Sequence, residues 1–122
     1  MEIHESEEMY LETILRLHKK NGNVRSIDVA SELNYSRPSV SKAVGLLKSK
    51  GYVTVDRDGG AIHLTEEGSD RAEKVYERHR VITELLIKTG VPAEVAEDNA
   101  CRIEHVISDE CFEYLKKRVE NG

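Results

Sequence analysis

Cys101, Glu104 and His105 stand at i, i+3 and i+4, a spacing that on a helix puts a thiol, a carboxylate and an imidazole on one face. Sulfur, oxygen and nitrogen donors converging in this way are the ligand set of a divalent transition metal. Glu97, one turn earlier, extends the polar face, while Val95, Ile103 and Val106 point the opposite way. Such a face is ordinarily just solvated, but a free cysteine prefers burial and fits that reading poorly. His79 falls on the apolar stripe of the preceding helical segment. It is either a core histidine or a group turned toward the cluster. The short connection through Gly90 and Pro92 makes the two helices antiparallel neighbours. Met9 and Glu12, at i and i+3 of a first helical segment, offer a thioether and a carboxylate. Taken alone, Met9 reads as core filler.

The elements that must position these groups are legible along the 122 residues. Ser6 suits an N-cap, and Tyr10, Leu11, Ile14, Leu15 and Leu17 give the helical period up to Asn21-Gly22. Ser26 to Leu33 is a short amphipathic helix, Asn34 to Arg37 a turn, and Pro38 the start of a third helix. Val40, Ala43, Val44, Leu46 and Leu47 form the buried stripe of that helix before Gly51. Tyr52 to Asp56 and Ala61 to Leu64 are β-prone runs around Arg57-Asp58-Gly59-Gly60, a hairpin signal. Thr65 caps a long helix from about Glu66 to Lys88, with Ala72, Val75, Tyr76, His79, Ile82, Leu85 and Leu86 on one stripe. A fifth helix runs to about Ile107, and Ser108 opens a sixth whose stripe is Phe112, Leu115 and Val119. The expected fold is therefore mainly α: a winged helix-turn-helix DNA-binding domain over residues 1–70, then a helical domain over residues 71–122 that carries most of the candidate metal ligands.

In such a motif the start of the third helix enters the major groove, so Ser36, Arg37, Pro38, Ser39, Ser41 and Lys42 are the candidates for base and phosphate contact. Arg37 can donate to guanine and Pro38 can touch thymine methyls; equally, Ser36 can simply cap the helix that Pro38 begins. Arg57 and His63 on the hairpin either approach the DNA or stay solvated. The formal charge of −5 argues weakly against a nucleic-acid partner, but Arg37, Lys42, Lys48, Lys50 and Arg57 cluster while the acids lie elsewhere. MEIHESEEMY carries no apolar run and no stretch reaches membrane-spanning length, so a soluble, cytoplasmic protein is expected. Cys101 and Cys111 then read as a thiol ligand or buried thiols in preference to a disulfide, with Cys111 packed in the interior.

These stretches resemble the diphtheria toxin repressor family of metal-dependent regulators, which has iron-responsive and manganese-responsive branches. The resemblance rests on Glu8-Met9-Tyr10-Leu11, Ser36 to Ser41, Leu64 to Gly68, His79-Arg80 and, most specifically, Ala100 to Glu110. It implies a regulatory metal site of Met9, Cys101, Glu104 and His105, with Cys101 also able to give its carbonyl. It further implies an ancillary site that includes His79. Two positions depart from the iron-responsive pattern: Thr83 replaces a carboxylate and Glu97 a histidine, though Glu97 can still ligate. Glu12 matches a ligand of the manganese-responsive branch, so a binuclear arrangement of Glu12, His79, Glu104 and the Cys101 position is a further option. The C-terminal SH3-like domain of many iron-responsive members has no counterpart here. The soft donors Met9 and Cys101 favour Fe(II), with Mn(II) next and Zn(II), Co(II) or Ni(II) substituting in vitro. The resemblance also makes residues 71–122 the metal-binding and dimerisation domain, and implies a homodimer on double-stranded DNA with a palindromic operator, repressing metal-uptake genes, with no membrane and no small-molecule substrate. The competing readings are a metal-independent winged-helix regulator with Cys101 buried, a small metallohydrolase built on Glu104, His105 and His79, and a protein-only interaction module.

Overall fold

The computed structural model describes residues 3–121, with side chains from Glu7 onward. Six helices and one hairpin run in the order α1 (Ile3–Asn21), α2 (Ser26–Leu33), α3 (Arg37–Ser49), β1 (Val53–Val55), β2 (Ile62–Leu64), α4 (Glu66–Lys88), α5 (Ala93–Ile103) and α6 (Asp109–Glu120). The chain divides into two compact units, the first reaching Glu73 and the second starting at Lys74, so the break falls inside α4. Among the described residues no helix is long and apolar enough to cross a membrane.

In the first unit α1, α2 and α3 pack on one another, and the hairpin joins them through α3–β1 and α1–β2 contacts. Leu11, Ile14, Val24, Val29, Val40, Leu47, Val53 and Ile62 are its largest fully buried apolar residues. The hairpin is antiparallel, with Val53 opposite Leu64 and Val55 opposite Ile62. Gly59 and Gly60 supply the positive φ angles of 81° and 68° at its tip, a backbone region that costs glycine little. Ile62 N–H donates to Val24 O at 2.7 Å, and the His18 ring lies 2.8 Å from Ile62 O through Nε2. The α1–α2 segment and α1 are thus tied to β2.

The local signals account for most boundaries. Arg25 N–H bonds Asp28 Oδ2 at 2.8 Å at the start of α2, and Asn34, in the left-handed region, ends that helix. Ser36 caps α3, with Pro38 in its first turn. Thr65 Oγ1 accepts from Gly68 N–H at 3.1 Å and donates to Gly51 O at 2.6 Å, tying the start of α4 to the end of α3. Ser108 Oγ accepts from Cys111 N–H at 3.0 Å at the start of α6.

Four expectations are corrected. Helix α1 is already under way at Ser6, because the flanking glutamates are good helix formers. Leu46 is 46% exposed; the stripe of α3 is Val40, Val44 and Leu47, at i, i+4 and i+7, and Leu46 lies on its flank. Helix α5 stops at Ile103 rather than near Ile107. Cys111 is exposed rather than interior, being one position off the stripe that Phe112 leads.

Gly68, buried in the first turn of α4, lies against the backbone of Tyr52. A Cβ there would sit 1.9 Å from Tyr52 O, the same carbonyl that accepts Thr65 N–H at 3.0 Å. Gly68→Ala must therefore push α4 away from the hairpin and strain that bond. The expected cost is about 2 kcal/mol of stability, read as a lowered urea midpoint with an unchanged slope.

Candidate metal centre and nucleic-acid interface

In the second unit Cys101 lies in the last turn of α5. Glu104 is its C-cap residue, still bonded through its N–H to Ala100 O at 2.9 Å, and His105 follows in the turn. One ligand atom from each of Cys101, Glu104 and His105 lies within 4.8 Å of the others. The Glu104 side chain is fully buried. His79 Nδ1 donates to its Oε2 at 2.9 Å, and His105 Nε2 stands 3.4 Å from its Oε1. Oε1 has no hydrogen-bond partner among the described residues. The imidazole side chains of His79 and His105 are 13% and 8% exposed, whereas Cys101 is exposed.

A buried carboxylate with an unsatisfied oxygen is costly unless a cation meets it. Here that oxygen stands 3.4 Å from an imidazole nitrogen, and the carboxylate shares a 4.8 Å cluster with a thiol, so the residues fit a divalent transition metal. The exposed thiol gives an ion a way in, and it does not match a structural, buried cysteine. Glu97 is exposed on α5 and outside this group, and Thr83 is half-buried one turn beyond His79. On α1, Glu12 is 4% exposed and Met9 half-buried, its Sδ 3.8 Å from the Tyr35 hydroxyl.

The loop carrying Glu104 and His105 is fixed from α4 by Arg78, which is 8% exposed. Its Nη1 donates to Glu104 O at 3.0 Å and Ile107 O at 2.9 Å, its Nη2 pairs with Asp109, and the guanidinium lies 5.5 Å from the Phe112 ring centroid. Arg78 takes over carbonyls that would otherwise accept from further helical N–H groups. This explains why α5 ends early and the chain turns into α6. The hydrogen bond and charge of Lys74, 3.1 Å away, followed by those of Arg78, hold the Asp109 carboxyl below the usual range.

Ser36, Arg37, Pro38, Ser39, Ser41 and Lys42 are all exposed at the start of α3. The Ser36 hydroxyl accepts from Ser39 N–H at 3.3 Å and donates to Ser39 Oγ at 2.8 Å, so it serves as a cap. Lys50, at the other end of α3, pairs with the buried Glu7 of α1, and Arg71 stands 3.8 Å from the same carboxylate. That pairing draws Lys50 from the basic stretch into a structural role. On the hairpin Arg57 is exposed and His63 pairs with Asp56 at 3.0 Å.

The sequence profile of the iron dependent repressor N-terminal DNA binding domain matches residues 2–61, and that of the iron dependent repressor metal binding and dimerisation domain matches residues 65–121. The chain belongs to the iron-dependent repressor family. An uncharacterised HTH-type transcriptional regulator of Methanocaldococcus jannaschii is 34% identical over 92% of this chain and 90% of its own length. The iron-dependent repressor IdeR of Mycobacterium tuberculosis is 34% identical over 98% of this chain and 52% of its own. The structure of the manganese regulator SloR superposes with a TM-score of 0.82 at 28% identity, over 95% of this chain and 54% of that one. The chain thus spans about half the length of IdeR and SloR. It is mainly helical, in a family of metal-dependent transcriptional repressors whose members are regulators rather than enzymes.

Within this member of the family, the residues that sequence reasoning overlooked are Arg78, Glu7 and Tyr35. Arg78 carries a readable signal. It falls between Val75 and Ile82 at i+3 and i+7, a charge on an apolar stripe, and a buried arginine needs carbonyl or carboxylate partners. Glu7 had only a position in a first turn, and Tyr35 only a place in a turn, so neither was marked by pattern.

Proposed function

We propose that the protein is a homodimeric transcriptional repressor whose affinity for a palindromic operator, in genes of metal uptake, is raised by a divalent metal at Cys101, Glu104 and His105. Met9 and Glu12 of α1 supply further ligands, and His79 either shares Glu104 or belongs to a second site with Glu97 at its edge. The observation that carries this reading is the buried Glu104 carboxylate, one oxygen of which is unsatisfied, clustered with an imidazole and a thiol. Sulfur donors favour Fe(II) over Mn(II); relatives named for iron and for manganese both resemble this chain.

With Met9 and Glu12 as ligands beside Cys101, Glu104 and His105, a bound divalent metal would tie α1 to the end of α5. The protein's own residues do the rest. Glu104 and His105 are held in place by Arg78, and α1 packs on α2 and α3, so fixing α1 fixes the helix-turn-helix that Ser36, Arg37, Pro38, Ser39, Ser41 and Lys42 present to the major groove. The gain in DNA affinity equals the metal's preference for the DNA-competent arrangement. The surface of α5, α6 and the turn between them, with Val95, Val106 and Tyr114 exposed, is the proposed dimer interface, and the protein works in the cytoplasm.

The test is retention of genomic DNA fragments by purified protein, performed anaerobically with Fe(II), with Mn(II) and with chelator. Fragments held with metal and released by chelator support the reading and supply the operator. Retention indifferent to chelator leaves a metal-independent winged-helix regulator, and no retention returns the interaction-module reading.

A further inference from the structure

Tyr35 occupies the turn between α2 and α3, directly before the Ser36 cap of the DNA-reading helix. Its hydroxyl donates to Met9 Sδ at 3.8 Å, bridging that turn to α1. Its ring stands edge-on to the buried Tyr10, centroids 6.3 Å apart and planes at 64°. Tyr10 packs against the ring while the residue as a whole stays 42% exposed, one position before the cap of α3.

We infer that Tyr35 is a positioning residue that couples Met9 to DNA: Met9 Sδ holds the Tyr35 hydroxyl until that sulfur is drawn on as a metal ligand, and the hydroxyl then turns to a DNA phosphate. This rests on reading Met9 as a ligand. A thioether is a weak acceptor, and coordination draws on the same lone-pair density that receives the hydroxyl. A phosphate oxygen is the stronger, charge-assisted acceptor, and tyrosine hydroxyls are among the groups that bond DNA phosphates. The exchange works in both directions. A phosphate that attracts Tyr35 frees Met9 for metal, and a metal that engages Met9 frees Tyr35 for phosphate, as reciprocity requires.

Tyr35→Phe keeps the ring on Tyr10 and removes only the hydroxyl, so the fold should melt as wild type does. The experiment measures Mn(II) affinity by calorimetry without DNA, and operator affinity with Mn(II) and with chelator, for wild type, Tyr35→Phe and Met9→Leu. The expected result for Tyr35→Phe is Mn(II) binding about threefold tighter without DNA. Metal-saturated operator binding should be about fivefold weaker, and binding in chelator weaker by less than about twofold, since there the hydroxyl leaves Met9 Sδ to reach the phosphate. Equal losses with metal and with chelator would make Tyr35 a plain DNA contact and overturn the coupling. Unchanged Mn(II) affinity in Tyr35→Phe, with Met9→Leu weakened, would overturn the coupling while leaving Met9 a ligand. Wild-type Mn(II) affinity in Met9→Leu would remove the ligand reading and the coupling with it.

Discussion

Glu104→Gln is expected to bind operator DNA with the same weak affinity in metal and in chelator. The substitution preserves shape, and the amide oxygen can still accept the His79 Nδ1 hydrogen bond that now reaches Oε2 at 2.9 Å, so the second unit stays folded. What disappears is the negative charge. Glu104 is the fully buried anionic donor of the cluster, and the two histidines are neutral as ligands. Metal affinity should drop by about a hundredfold or more, and the metal's enhancement of DNA binding, on the order of 5- to 150-fold in wild type, should vanish. Fluorescence anisotropy on one operator, with thermal melting as the fold control, reads both quantities. A variant that melts like wild type and still responds to metal would remove Glu104 from the site.

The second large effect is on stability. Arg78→Leu removes a guanidinium that satisfies the carbonyls of Glu104 and Ile107 and pairs with Asp109. A leucine fills part of the volume against Phe112 but donates nothing, so buried carbonyls are orphaned at about 1–3 kcal/mol each. A total loss of about 4 kcal/mol is expected, seen as a lower denaturant midpoint. Metal affinity should fall as well, because the backbone carrying Glu104 and His105 loses its anchor. Arg78→Lys should recover little of either, since one ammonium cannot span two carbonyls and a carboxylate. An Arg78→Leu midpoint equal to wild type would show that the loop is held by other means.

The pattern of apolar periods, caps and glycines located every helix and the hairpin, because those signals act locally. Ser36, Thr65 and Ser108 cap where their types suggest, and Gly59-Gly60 turns the hairpin. The i, i+3, i+4 spacing of Cys101, Glu104 and His105 likewise survives, because Glu104 retains its helical bond to Ala100 O. What was not legible depends on long-range partners. Helix α5 ends at Ile103 because Arg78, some two dozen residues earlier in the chain, takes the carbonyls. The burial of Glu7 against Lys50 and Arg71, and the contact of Tyr35 with Met9, likewise join residues far apart in sequence. Leu46 and Cys111 show the limit of composition: each is a residue type that prefers burial, placed one step off a stripe that others complete.

The central claim is that metal and operator bind with a shared free energy. The most direct measurement is the affinity of the wild-type protein for one retained operator fragment at fixed ionic strength, first saturated anaerobically with Fe(II) or Mn(II), then with excess chelator. At least about tenfold tighter binding with metal, reversed by chelator and restored by added metal, is the predicted result. Equal affinities in metal and chelator, from protein shown to bind the metal, would contradict it.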